Sequence, residues 1–373
     1  MLVDLGVAKW DIKLTYDVDA VDRLKYVYTV ALLNLMALFV FSKQYVGESV
    51  QCWAPQHFSG FWEQYVEQYC LIENTFFVSM DDQNMPSTQQ RENSELRYYQ
   101  WVPFLLVALS ALLFLPRIVW KAMQSLIGLK ISDVTVHMRK CAKASLDDVD
   151  HEKLDVQRKK LTKQRRSNKD IEWGNRLTLC LLTTKLLSLL AVVFTLFFLD
   201  YFMDIGPAYG LQVVVDVLSG REWKQSGKFP KSEDLSASEI PNFPIQTTFC
   251  DFEVRELGQV NRWSLQCVLM VNMFNEKIFV LLWWWYLGLF VVSVYDLLDF
   301  LQRCTASRQT RLVRSVLYCC EGPDDINDDV VASFTRSVLK TDGVNLLQLI
   351  INNSTIFQAA DFLKPFWESY AHT

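Results

Sequence analysis

Four apolar runs of membrane length constrain this 373-residue chain more than any other feature. They cover residues 26–46, 101–120, 179–203 and 278–298. A helix needs about 20 mostly apolar residues to cross a hydrocarbon layer of roughly 30 Å. A helix lying on a soluble core keeps a polar face at 3.6-residue spacing, and "LLTTKLLSLLAVVFTLFFL" shows none after Lys185. The expected fold class is an all-α membrane protein, a four-transmembrane-helix bundle. A hydrophobic share of 51% with a net charge of −5 agrees with that class. Residues 1–25 hold five acidic groups and no long apolar core, so they do not read as a cleaved signal peptide.

Basic residues set the orientation, because loops rich in Lys and Arg stay on the cytoplasmic side. Residues 47–100 carry two basic residues against eight acidic ones, whereas 121–178 carry fourteen against eight. Arg303, Arg308, Arg311 and Arg314 follow the fourth run closely. Residues 1–25, 121–178 and 299–373 are therefore expected in the cytoplasm, and 47–100 and 204–277 outside. The inner segments read as largely helical. The cluster "RKKLTKQRR" (Arg158–Arg166) reads as a solvated or lipid-facing surface beside the membrane, not a nucleic-acid site.

That assignment sorts the cysteines. Cys52 and Cys70 fall in the first outer loop, and Cys250 and Cys267 in the second. Disulfides persist outside the cell, so these four are expected to form two bridges. Four cysteines allow three connectivities, and spacing does not choose among them. No C-x-x-C pair accompanies them and His57 is the single outer histidine, so no metal and no other cofactor is expected.

Three stretches carry a family resemblance: "KQYVGESVQCWAPQHFSGFWEQYVEQYC", "YYQWVPF" and "FCDFEVRELGQVNRWSLQCVLMVNMFNEKIFVLLWWW". They resemble the innexins, the gap-junction proteins of invertebrate animals. Tyr98, Tyr99, Gln100, Trp101 and Val102 form the stretch most specific to that family. Two cysteines per outer loop also separate this pattern from the connexins, which carry three. The resemblance implies a ring of subunits, eight per hemichannel, around a wide aqueous pore, alone or mixed with other innexins. It further implies docking to a hemichannel on the adjacent cell and bridges between loops, Cys52 with Cys267 and Cys70 with Cys250. By the same resemblance Leu2, Val3 and Asp4 belong to a segment that folds into the pore mouth.

Other residues are read from their own chemistry. Asn34, inside the first run, either lines the pore or hydrogen-bonds a neighbouring helix, since lipid penalises it otherwise. Lys185 is expected to snorkel to the cytoplasmic surface. Pro103 is either a gating hinge or a fixed bend, and Pro116 sits near the other end of the same run. Trp283, Trp284 and Trp285 read as packing and anchoring residues. Asn352 and Asn353 match the N-x-S/T pattern, but on the cytoplasmic side, where they should stay unmodified; no match lies in the outer loops.

Enzyme motifs are missing: the sequence holds no HExxH, GxSxG or P-loop, and its four histidines are scattered. A channel subunit at the plasma membrane is the reading. An undocked hemichannel and a four-span adhesion protein without a pore share the same topology.

Overall fold

At membrane depth no water serves the backbone, and a helix satisfies its donors and acceptors within one segment. Each apolar run accordingly lies in one long helix of the computed structural model, which describes residues 18–73, 75–76, 85–93, 95–96, 98–127, 175–203, 208–219, 247–321 and 327–371. The first span starts as α1 (Ala20–Arg23), widens into a π-helical turn over Leu24–Thr29 and continues as α2 (Val30–Tyr45). After it come β1 (Val50–Cys52), α3 (Gly60–Glu73), β2 (Thr75–Phe76), α4 (Thr88–Asn93) and β3 (Glu95–Leu96). The second span is α5 (Val102–Ile127) and the third α6 (Arg176–Met203). Next are α7 (Tyr209–Leu218), the strands β4 (Thr247–Glu256) and β5 (Gln259–Leu269), and the fourth span α8 (Met270–Arg303). The tail holds α9 (Ala306–Glu321), α10 (Asp328–Phe334), a π-helical turn (Thr335–Leu339), α11 (Lys340–Asn353) and α12 (Ile356–Ala371).

Among the described residues these four helices are the ones long and apolar enough to cross a membrane. Two start well before their apolar windows, the first at Ala20 and the fourth at Met270. The added turns carry Asp22, Lys25, Asn272, Asn275 and Glu276, which are polar yet buried. Hydropathy registers side-chain polarity and not the continuity of backbone hydrogen bonds, so it truncates both helices. In none of the four is more than 44% of the most apolar stretch buried, which leaves apolar surface for lipid and neighbouring copies.

The chain divides into two units, and all four long helices contribute to both. One unit contains residues 1–28, 114–189 and 292–373. Its tail helices pack around Val316, Leu317, Phe334, Ile350 and Leu363, all fully buried. A second core there joins Tyr26, Trp120, Leu181 and Phe300, one residue from each span, with Leu349 of α11. Asn327 caps α10 by accepting from the backbone N–H of Asp329.

The other unit contains residues 29–113 and 190–291. Its strands form an antiparallel sheet in the order β1-β5-β4-β2-β3. The two-residue turn Leu257-Gly258 joins β4 to β5, with φ of 48° and 88°. Positive φ at both positions matches the right-handed twist of a tight hairpin. On one face Thr248, Cys250 and Phe252 of β4 and Leu265, Cys267 and Leu269 of β5 are buried at every second position. The sheet is a structural addition to the helical bundle that hydropathy alone leaves unregistered.

Candidate functional site

The sheet brings the four outer cysteines together. Cys52 and Cys267 face each other in the β1–β5 register and are bridged, and Cys70 of α3 is bridged to Cys250 of β4. The sulfurs of Cys52, Cys70 and Cys267 lie within 4.8 Å of one another. All three are consumed by disulfides and offer no thiolate to a metal. Both bridges connect residues 47–100 to residues 204–277, across 215 and 180 residues of chain. Arg91 adds a further link, donating to both carboxylate oxygens of Asp251 at 3.1 and 2.9 Å. Aromatic rings fill the remaining space, with Phe252 edge-on to Tyr69 and Phe58 edge-on to Trp263.

The tyrosine-rich stretch, immediately before α5, bonds to the end of α3. The Tyr99 hydroxyl, on a fully buried side chain, donates to the Leu71 carbonyl at 3.0 Å. Gln100 Nε2 donates to the same carbonyl at 2.8 Å and to that of Ile72 at 3.2 Å. These are last-turn carbonyls of α3, which have no partner within their own helix. The stretch therefore fixes the C-terminal end of the helix that carries Cys70. Burial pushes the Tyr99 phenol up, against the opposing hydrogen bond of Gln100. Burial, aided by Tyr99 and Glu276, raises Tyr98 as well. Trp101 is 63% exposed at the mouth of α5, where an amphipathic ring suits an interface. Val102, fully buried, opens the helix.

The other unit holds a cluster of buried charges. Lys185 of α6 reaches Asp296 of α8 at 2.7 Å, Asp19 at 3.1 Å and Asp22 of α1 at 3.6 Å, and its side chain is 2% exposed. Lys25 pairs with Asp22 at 3.2 Å, and Arg303 lies 3.8 Å from Asp19. Three cations, one each from the first, third and fourth spans, thus face Asp19 just before the first span, Asp22 within it and Asp296 of the fourth. The expectation that Lys185 snorkels to the surface is corrected here. Snorkelling avoids leaving an ammonium unpaired in lipid, and three carboxylates within 4 Å remove that need. The Asp19 carboxyl is held below its ordinary range: burial raises it, and Lys185 and Arg303 outweigh that effect.

A family model for innexins matches residues 18–370. Innexin-17 of Caenorhabditis elegans is 48% identical over 99% of both chains. Innexin-16 of the same organism is 38% identical over 94% of this chain and 89% of its own, and Innexin unc-9 33% identical over 95% and 92%. The chain belongs to the innexin family.

Innexins are gap-junction channel proteins, and this innexin is a subunit of such a channel. The family forms oligomeric channels at the plasma membrane. Of the residues singled out from its sequence, the four outer cysteines and the 98–102 stretch come together in one unit. Leu2, Val3 and Asp4 lie outside the described residues. Asn34 Nδ2 donates to the Val30 carbonyl at 2.7 Å, one turn back along its own helix. That bond gives the amide nitrogen a partner within its own helix, where a pore-lining place or a bond to a neighbouring helix was expected. Pro103 sits in the first turn of α5, where the missing N–H costs no internal hydrogen bond. Trp283 is 6% exposed and Trp284 37%, while Trp285 Nε1 donates to Thr29 Oγ1 of the first span at 3.1 Å.

Sequence reasoning missed Asp19, Asp22 and Asp296 in this innexin. A signal was present: Lys185 and Asp296 are opposite charges inside two apolar runs, and membrane-embedded charges pair with one another. Gly210 was missed as well. A Cβ there would lie 2.1 Å from the Trp283 ring, so the indole rests directly on the glycine backbone.

Proposed function

We propose that eight copies of this chain, alone or with other innexin subunits, form a hemichannel around an aqueous pore for ions and small molecules, and that two hemichannels dock end to end between cells. In this reading residues 1–25, 121–178 and 299–373 are cytoplasmic, and 47–100 and 204–277 are outside. The transmembrane segments correspond to 26–46, 101–120, 179–203 and 278–298, extended by the helical turns described above. Leu2, Val3 and Asp4 belong to the pore mouth. Pro103 marks a fixed helix start in preference to a hinge.

The observation that carries the proposal is the pair of bridges lacing one outer loop to the other. They make a rigid platform of two loops that would otherwise move separately, which suits end-to-end contact. The hairpin tip supports it: Leu257 is fully exposed and held at φ 48°, a backbone conformation unfavourable for leucine. Two copies of the chain in a docked pair provide an apolar partner for that tip. The excess of carboxylates in residues 47–100, multiplied around a ring, concentrates cations at the entrance.

Images of the detergent-solubilised particle, combined with recordings from paired and single cells, test the proposal. Eightfold rings and current between paired cells are expected. Rings of another count overturn the stoichiometry. Single cells that conduct while pairs pass no current or dye favour the undocked hemichannel, and particles without a central hole favour adhesion.

A further inference from the structure

Asn352 and Asn353, matched in sequence only as unused glycosylation patterns, hold the start of the first span. Asn352 Nδ2 donates to Asp19 Oδ1 at 2.7 Å, and Asn353 Nδ2 to the Val18 carbonyl at 3.3 Å. Earlier in the same helix, α11 grips the third span. Asp342 accepts from the backbone N–H groups of Leu177 and Thr178 at 3.1 and 2.9 Å, and from the Thr178 hydroxyl at 2.7 Å. Asn345 donates to that hydroxyl at 2.9 Å.

These contacts share one helical face, because positions 342, 345, 349, 352 and 353 recur at spacings of three, four and seven. Leu349, between the two grips, is 3% exposed and packs with Tyr26, Trp120 and Leu177. A carboxylate on the first N–H groups of a helix is normally a local N-cap; here the cap comes from 165 residues away. Asp19 is also bound by Lys185, so tail and buried ion cluster meet on one carboxylate. π-helical turns follow the first grip point, at Leu24–Thr29, and precede α11, at Thr335–Leu339. Such turns are frequent where a helix serves function. A helix kept only for packing would present an apolar face, whereas polar grips on two different spans form and break without exposing apolar surface.

We propose that α11 is a coupling strut whose polar face sets the position of the first span's start against the third, and thereby the open–closed balance of the channel. Asp342, Asn345 and Asn352 are positioning residues, and movement of the tail helices passes through Asn352 to Asp19, at the start of the first span. The effect on gating rests on the proposed channel function.

The test is a double-mutant cycle on the full-length channel, using Asp19→Ala, Asn352→Ala and their combination. Each single variant is expected to shift the ratio of open to closed time by about tenfold, the scale of one hydrogen bond to a charged group. The combination should shift it no further than the larger single, with unitary conductance unchanged. Additive shifts, or none, overturn the strut. Asp342→Ala should also shift gating, and Asp342→Asn should shift it less, since its one amide oxygen keeps the Thr178 donors but not the Leu177 N–H; an Asn variant behaving like Ala overturns the capping role. In purified rings, Asp342→Ala should speed amide exchange at the start of the third span and also at Ala20–Arg23, and faster exchange confined to the third span overturns the transmission. The pore-mouth reading fails separately, if Asp4→Asn leaves unitary conductance unchanged.

Discussion

Replacing Lys185 with methionine separates a buried ion cluster from a surface lysine. Wild type sets Lys25, Lys185 and Arg303 against Asp19, Asp22 and Asp296, with Asp299 beside them paired to Arg303 and Arg308. The variant leaves three carboxylates facing two cations, and the lost ammonium is the one that touches all three, at 2.7 to 3.6 Å. Breaking one partner out of a buried pair costs about 3–5 kcal/mol, because the opposing charge stays desolvated. A snorkelling lysine in an exposed pair would cost about 0–1 kcal/mol. Thermal melting of the solubilised oligomer, followed by fluorescence-monitored gel filtration, distinguishes these values as a drop of several degrees against none. A second variant guards against a trivial loss of fold: Lys185→Met with Asp296→Asn restores two cations against two carboxylates and should melt well above the single variant. A single variant that melts with wild type, or a double variant no better than the single, would refute the cluster.

The unit that carries the sheet offers further tests. Cys70→Ser should abolish channel assembly, since loop-closure entropy sets a ceiling of about 5 kcal/mol on a bridge of this span; surface expression and dye transfer measure it. Removing both donors to Leu71 with Tyr99→Phe and Gln100→Ala should cost about 1–3 kcal/mol through an unsatisfied carbonyl, and Tyr99→Phe alone about 1 kcal/mol, read as protease cleavage within α3. Gly210→Ala should cost about 1–3 kcal/mol by overpacking against Trp283, with partial recovery in Gly210→Ala/Trp283→Leu; both are read by melting. Leu257→Asn should stabilise the hairpin by about 1 kcal/mol while lowering junctional conductance between paired cells, and single-cell currents should stay unchanged.

The four spans were legible because lipid imposes a composition that no soluble helix needs. Their ends were less so: Asp22 and Lys25 look like loop residues until Lys185 and Asp296 arrive as partners, and that pairing is a tertiary fact. The outer sheet was half visible. Leu265, Cys267 and Leu269 alternate with exposed or partly exposed positions, as a strand requires, but the alternation runs directly into the apolar start of α8 and is masked by it. Strands such as β2, two residues long, exist only because β4 lies beside them. Asp342 gave no signal of its task, since a cap normally precedes the helix it serves, and this one follows from far down the chain.

The bridges also set a timetable for biosynthesis. Cys52 emerges 215 residues before its partner, which at roughly 5–20 residues per second is a wait of about 10–40 s. Cys70 waits almost as long, so for that interval both early thiols are free to pair with each other or with a neighbouring nascent chain. A chain that ends before Cys250 leaves both early cysteines without their native partners.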